Sequence, residues 1–243
     1  MVILIGFSLT QERYNMKVAL CLSGQPRFLE QAYNEVLKPY ILDVADVDVF
    51  VHAWEPDQNQ IGKSYVTGGG HQVGPPVSEN IVERIVALYK PKAYIIEPQI
   101  QFEYGKYPDR VMQEIRSDYL YSQFYSVWKS NIVRKSYTNQ NPSIKYDWVI
   151  RSRFDVKLND VINFTLDSNN LYLPTGCFHP AGWVDCFAMS NEHIMDVYCD
   201  LYNNIDNIMN TTSIGLCGEF LLNKHLANHN IKPIPTMWHG LYR

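Results

Sequence analysis

The stretch Tyr146-Asp147-Trp148-Val149-Ile150-Arg151-Ser152-Arg153-Phe154-Asp155-Val156-Lys157-Leu158 limits the possible folds more than any other part of the chain. Read as a strand, its side chains alternate between two faces. One face carries Trp148, Ile150, Ser152, Phe154, Val156 and Leu158. The other carries Val149, Arg151, Arg153, Asp155 and Lys157. A strand this apolar belongs inside a sheet, where three cations and a carboxylate in one row need partners. Ligands of open α/β sheets bind beyond the carboxyl ends of the strands. An anionic ligand such as a nucleoside diphosphate accounts for the row.

The rest of the chain alternates strand and helix signals. Residues 18–22 form a continuous apolar run, as in a buried parallel strand. It ends in Ser23-Gly24-Gln25-Pro26-Arg27, a turn rich in hydroxyl, amide and guanidinium donors. Leu29, Ala32, Tyr33, Val36 and Leu37 then recur at helical spacing until Pro39. A second strand is predicted at 47–54, and a loop at 55–77 containing Gly68-Gly69-Gly70-His71 and Pro75-Pro76. Ser78 is expected to cap a helix closed by Pro91, before a third strand at 93–96. A helix is predicted over 109–137, with Leu120, Tyr121, Phe124, Tyr125, Val127, Trp128 and Ile132 as its packing face.

After the charged strand come short strands at 170–174 and 184–189. A helix capped by Ser190 follows, carrying apolar residues through Ile208. A second helix starts at Gly218-Glu219, a strand at 231–234 follows, and Met237-Trp238-His239-Gly240 forms the tail. This order predicts an α/β fold, with a mostly parallel central sheet and helices on both faces. One domain is expected over 16–243, with residues 1–15 as an N-terminal extension that forms a loose arm or precedes the true start at Met16.

Composition narrows the function classes. Of 243 residues, 46% are hydrophobic, so a substantial core can form, and the 13% that are aromatic argue against disorder. A net charge of −4 argues against a general nucleic-acid binder. The five cysteines, Cys21, Cys177, Cys186, Cys199 and Cys217, show no CxxC spacing. They read as buried thiols in a reducing, cytoplasmic setting rather than as zinc ligands or a disulfide framework. The apolar start at 2–7 is too short to span a bilayer, so a soluble protein is expected, with contact at a membrane surface left open.

The order of parts resembles the GT-A-fold glycosyltransferases, and more narrowly their small microbial and viral members. The resemblance rests on Ser23-Gly24-Gln25-Pro26-Arg27 after the first strand, Asp48-Val49-Phe50-Val51-His52-Ala53-Trp54 on the second, and the charged strand. It covers residues 16–240 and implies a nucleotide-sugar donor, a glycan or glycolipid acceptor, and a site at the carboxyl edge of the sheet. It also implies that Ser23, Gly24, Gln25 and Arg27, with Arg151, Arg153 and Asp155, hold the donor. In that family a DxD triplet carries a divalent cation, Mn²⁺ or Mg²⁺. Here the matching triplet is Arg153-Phe154-Asp155, with arginine in place of the first carboxylate. A guanidinium can neutralise a departing diphosphate itself. Asp155 then orients the donor, or still holds a metal with His239.

The remaining candidates are single residues. Asp185 lies between apolar neighbours, and Glu219 opens a helix. Each can deprotonate or orient an acceptor hydroxyl, and Glu219 also fits a first-turn acid favoured by the helix dipole. His52 reads as a satisfied core histidine. Asp46-Val47-Asp48 is a literal DxD, but it stands at the beginning of a strand, the end away from the site. The Gly68-Gly69-Gly70-His71 loop lacks phosphate-loop spacing. The expected activity is transfer of a sugar from a nucleotide-sugar to a hydroxyl. A nucleotidyltransferase and a non-catalytic sugar- or nucleotide-binding homologue are the alternatives.

Overall fold

Every residue from Val18 to Leu22 is buried, as a strand covered on both faces must be. These residues belong to β1 (Lys17–Gly24), the centre of a computed structural model of the chain that describes residues 16–59, 61–66, 72–112, 116–175 and 183–242. β1 pairs in parallel with β2 (Asp46–Glu55) on one side and β6 (Trp148–Arg153) on the other. β2 pairs in parallel with β5 (Ala93–Pro98). Beyond β6 lie β9 (Phe187–Ser190), β8 (Tyr172–Thr175), β10 (Ile234–Leu241) and β7 (Val156–Leu158), giving the order β5-β2-β1-β6-β9-β8-β10-β7. Only β9 and β7 run against the others. β3 (Tyr65–Val66) and β4 (Gln72–Val73) form a separate antiparallel ribbon.

Alternation along the strands feeds two cores. Val18, Leu20, Leu22, Val49, Val51, Trp148 and Ile150 pack against α1 (Leu29–Ala32), its π-helical continuation Tyr33–Leu42, and α2 (Ile81–Tyr89). Ala19, Cys21, Phe50 and Val149 face α3 (Ser117–Gln140), α4 (Glu192–Cys199), α5 (Leu201–Thr211) and α6 (Gly218–Asn228). The α/β class and the mainly parallel sheet therefore agree with the sequence reading. Four described cysteines, Cys21, Cys186, Cys199 and Cys217, are buried free thiols. Among the described residues, no helix is long and apolar enough to cross a membrane. Residues 1–15, Gly68-Gly69-Gly70-His71 and Cys177 lie outside the described residues.

Several boundaries differ from the sequence reading, each for a local reason. Pro39 does not end its helix. The helix continues through it in π geometry, and at its end the Asp43 amide donates to Lys38 O, five residues back, at 2.9 Å. The long helix begins at Ser117 rather than 109, because Pro108–Arg110 forms a tight 3₁₀ turn and Val111 bridges to Leu216. Asn191, not Ser190, caps α4, through its side-chain oxygen on the Ile194 amide, while Ser190 Oγ donates to the Ser168 and Asn170 carbonyls. The helix expected through Ile208 breaks at Asp200 into α4 and α5. The expected tail is part of β10.

The strand expected over 146–158 breaks at Phe154-Asp155. β6 stays in the sheet centre, and β7 crosses to the far edge to pair with β10. The break places Asp155 against Arg153, and the Tyr242 amide donates to Asp155 O at 2.9 Å. Asp48 belongs to the opposite, amino edge. There it is buried, accepts from Tyr146 OH at 2.9 Å and pairs with Lys17 at 3.1 Å, which is a structural arrangement.

Candidate functional site

β1 and β6 end side by side, with Ser23 in register with Arg153. Ser23, Arg151 and Arg153 share the sheet face that α3 covers. Gly24 ends β1 at φ 108°, a backbone conformation that side-chain-bearing residues rarely adopt. It turns the chain into Gln25, whose carbonyl accepts from the Arg27 amide at 2.8 Å.

Arg151 is almost fully buried. Its Nε donates to Ser23 Oγ at 3.2 Å and its Nη1 to the Asp185 carbonyl. This guanidinium fastens the β1 turn and the segment before β9 to β6 from beneath, so it positions the site rather than facing a ligand. Arg153 lies one pleat further toward solvent. Its Nε and Nη2 grip both oxygens of Asp155 at 2.7 and 2.9 Å. Arg27 approaches the same carboxylate from the β1 turn, at 3.3 Å. Burial alone would raise the Asp155 pKa, but the two guanidiniums outweigh it and hold the carboxyl below its ordinary value.

The other wall is acidic. Asp185 accepts from Gln123 Nε2 of α3 at 2.6 Å. A Cβ placed on Gly218, the first residue of α6, would lie 2.9 Å from Asp185 Oδ2, so any side chain there would push the carboxyl aside. Burial of that carboxyl, then the nearby Glu219 carboxylate, raise its pKa from the ordinary value, against the lowering effect of Arg151 and Arg153. Glu219 accepts from the Cys217 thiol at 2.8 Å. The site therefore has a guanidinium side at the β1 turn and β6, and a carboxylate side at α6.

The structure brings together Ser23, Arg27, Arg151, Arg153, Asp155 and Asp185 through the contacts above, with Gly24 and Gln25 in the adjoining turn and Glu219 beside Asp185. Along the backbone ladder, Asp155 and His239 stand apart. His239 pairs with Leu158 across the β7–β10 ladder, while the Asp155 carbonyl meets Tyr242. Three residue steps separate them, about 10 Å of strand. The His239 side chain is outside the described set. With its carboxylate already gripped by Arg153 and approached by Arg27, Asp155 is a poor fit for a divalent cation, which would have to displace bound positive charge.

His52 is fully buried, with Nδ1 2.7 Å from Ser126 Oγ and Nε2 3.1 Å from Glu97 Oε1, in agreement with the reading as a satisfied core histidine. A cavity of about 60 Å³ beside Arg27 and Phe28 is lined by Pro75, Pro76 and Val77, and it is too small for a nucleoside. Sequence reasoning missed Gln123 and the steric role of Gly218. The available signal was a polar residue between Leu120 and Phe124 on the packing side of α3. No known family model matches the chain, and no curated protein matches it significantly.

Proposed function

We propose that the chain is a nucleotide-sugar-dependent glycosyltransferase of GT-A-like architecture. The observation that carries this reading is the polarity of the site: guanidiniums at the carboxyl ends of β1 and β6 oppose the Asp185 and Glu219 pair. The donor diphosphate meets Arg153 and Arg27, whose geometry Asp155 fixes in advance. Fixed cations of this kind stabilise the charge that develops on the leaving group. Arg151 holds Ser23 and the Asp185 backbone in place from below. The acceptor hydroxyl approaches Asp185, which takes its proton as the hydroxyl oxygen attacks the anomeric carbon and the bond to the diphosphate breaks. Raising its pKa makes Asp185 a stronger base than an ordinary carboxylate. Glu219 sustains that elevation. Because Asp155 is occupied by arginine, the reading places no metal-dependent step in the reaction.

The test is release of nucleoside diphosphate from UDP-, GDP- and CDP-linked sugars. One donor class should be consumed, and Asp185→Asn should slow transfer by about 10²–10⁴-fold, the usual contribution of a positioned base, with donor affinity retained. A folded sample that consumes none of the donors would contradict the proposal.

A further inference from the structure

Among the described residues, seven large apolar or aromatic side chains stand most exposed, and four of them, Ile100, Tyr104, Val111 and Tyr119, fall within the twenty residues 100–119. This stretch follows β5 and leads into α3, so it lies beyond the carboxyl edge of the sheet, on the side where the candidate site opens. Tyr104 is the extreme case at 72% exposure. Arg116 sits between the two tyrosines, its guanidinium carbon 5.0 Å from the Tyr104 ring centre and 4.3 Å from that of Tyr119. Its charge is answered locally by Asp118, at 2.6 Å. The result is a braced pair of rings with solvent-facing surface.

Tyr119 is linked to the site by helix geometry. Gln123, which holds Asp185, is four residues further along α3. Positions i and i+4 share a helix face, about 6 Å apart along the axis, the scale of one sugar unit. The exposed rings offer flat apolar faces, which suit the C–H face of a pyranose.

We propose that Tyr104, Arg116 and Tyr119 form an outer subsite for an oligosaccharide acceptor, which runs outward from Asp185 past Gln123. The proposal rests on the glycosyltransferase reading and makes the acceptor a chain of several sugars rather than a monosaccharide. Charge favours this occupant over an anionic lipid surface. Over residues 99–112 and 116–119, Glu103, Asp109 and Asp118 balance Lys106, Arg110 and Arg116, so the rim carries no net attraction for phosphate headgroups.

The test uses the full chain on an array of immobilised neutral, amino and uronic-acid oligosaccharides of two to eight units, alongside sedimentation with phosphatidylserine vesicles. The expected result is retention on one class of oligosaccharide that improves with chain length. Tyr104→Ala combined with Tyr119→Ala should weaken it by about 30-fold or more, the scale of losing two aromatic anchors. Tyr104→Phe with Tyr119→Phe should retain it, because the rings remain. Failure to bind any oligosaccharide, binding unaffected by loss of both rings, or ring-dependent binding to vesicles alone would each overturn the subsite. Donor hydrolysis by the double alanine variant, measured without acceptor, separates the two readings. It should match the unaltered protein if only the subsite is wrong, and it is absent from both proteins if the transferase reading itself fails.

Discussion

Asp155 is 2% exposed and gripped through both oxygens by Arg153, with Arg27 alongside. Removing Arg153 strands a buried carboxylate, so Arg153→Ala should cost about 3–5 kcal/mol in urea unfolding at pH 7. The sign follows from the depressed pKa. The folded state holds Asp155 ionised below its ordinary 3.8, so the pairing stabilises above that value and is lost as pH falls through the folded pKa. The gap between variant and parent should therefore narrow below about pH 4. Asp185 is displaced in the other direction by burial and by Glu219. Glu219→Gln removes the like charge, so the acidic limb of the pH–rate profile should move to lower pH. A limb that stays in place would dissociate Asp185 from the proton transfer. Gly218→Ala puts a methyl 2.9 Å from the Asp185 carboxyl. The backbone of Gly218 is not at positive φ, so the fold should persist, while the proposed transfer should slow by on the order of 10²-fold from displacement of Asp185.

At the scale of elements, α3 shows what the chain's pattern conceals. Its expected packing face includes Ile132, which is 36% exposed. Leu120, Tyr121, Phe124, Tyr125 and Val127 of that face are buried as expected, and Ser122, Ser126, Ser130 and Arg134 form a further buried row, spaced four apart on one helix face. Small side chains let the helix lie close to β1 and β2, and their hydroxyls are satisfied locally: Ser130 donates to the Val127 carbonyl and Ser126 meets His52. Hydrophobic periodicity does not register such a face. Burial lowers the His52 pKa to about 4, against the weaker raising effect of Glu97. Between pH 6.5 and 4 the unfolded chain binds a proton at this position that the folded one refuses, so stability falls as pH drops through that window. The two pKa values are worth about 3 kcal/mol across it. Equilibrium unfolding of His52→Gln from pH 7 to 4 should show a flatter acid dependence than the parent. Equal slopes would remove His52 as the cause. The strands β1, β2, β5 and β6 were legible because each is a short apolar run bounded by turn residues. The break between β6 and β7 was not, since alternation continues through Phe154 and Asp155, and only the tertiary pairing of β7 with β10 decides it.

Across the whole molecule, the parallel half of the sheet accounts for where the candidate site lies. Four strands end together, and the turn after β1, the end of β6 and the segment before β9 converge there. The sequence located the Arg151, Arg153 and Asp155 row and the Ser23 turn, because charged residues on a buried strand signal themselves. It did not reveal that Arg151 points inward to Ser23 and the Asp185 carbonyl, or that Asp155 spends its charge on arginine, because both depend on contacts between distant segments. The direct measurement is calorimetric titration of the intact protein with UDP, GDP and CDP, each in EDTA and in Mn²⁺. If Arg153 and Arg27 hold the diphosphate, one nucleotide should bind in EDTA with an affinity that Mn²⁺ changes by less than about tenfold, or 1.4 kcal/mol. Binding that appears only with Mn²⁺, or no binding of any nucleotide to folded protein, would contradict a diphosphate site built from guanidiniums.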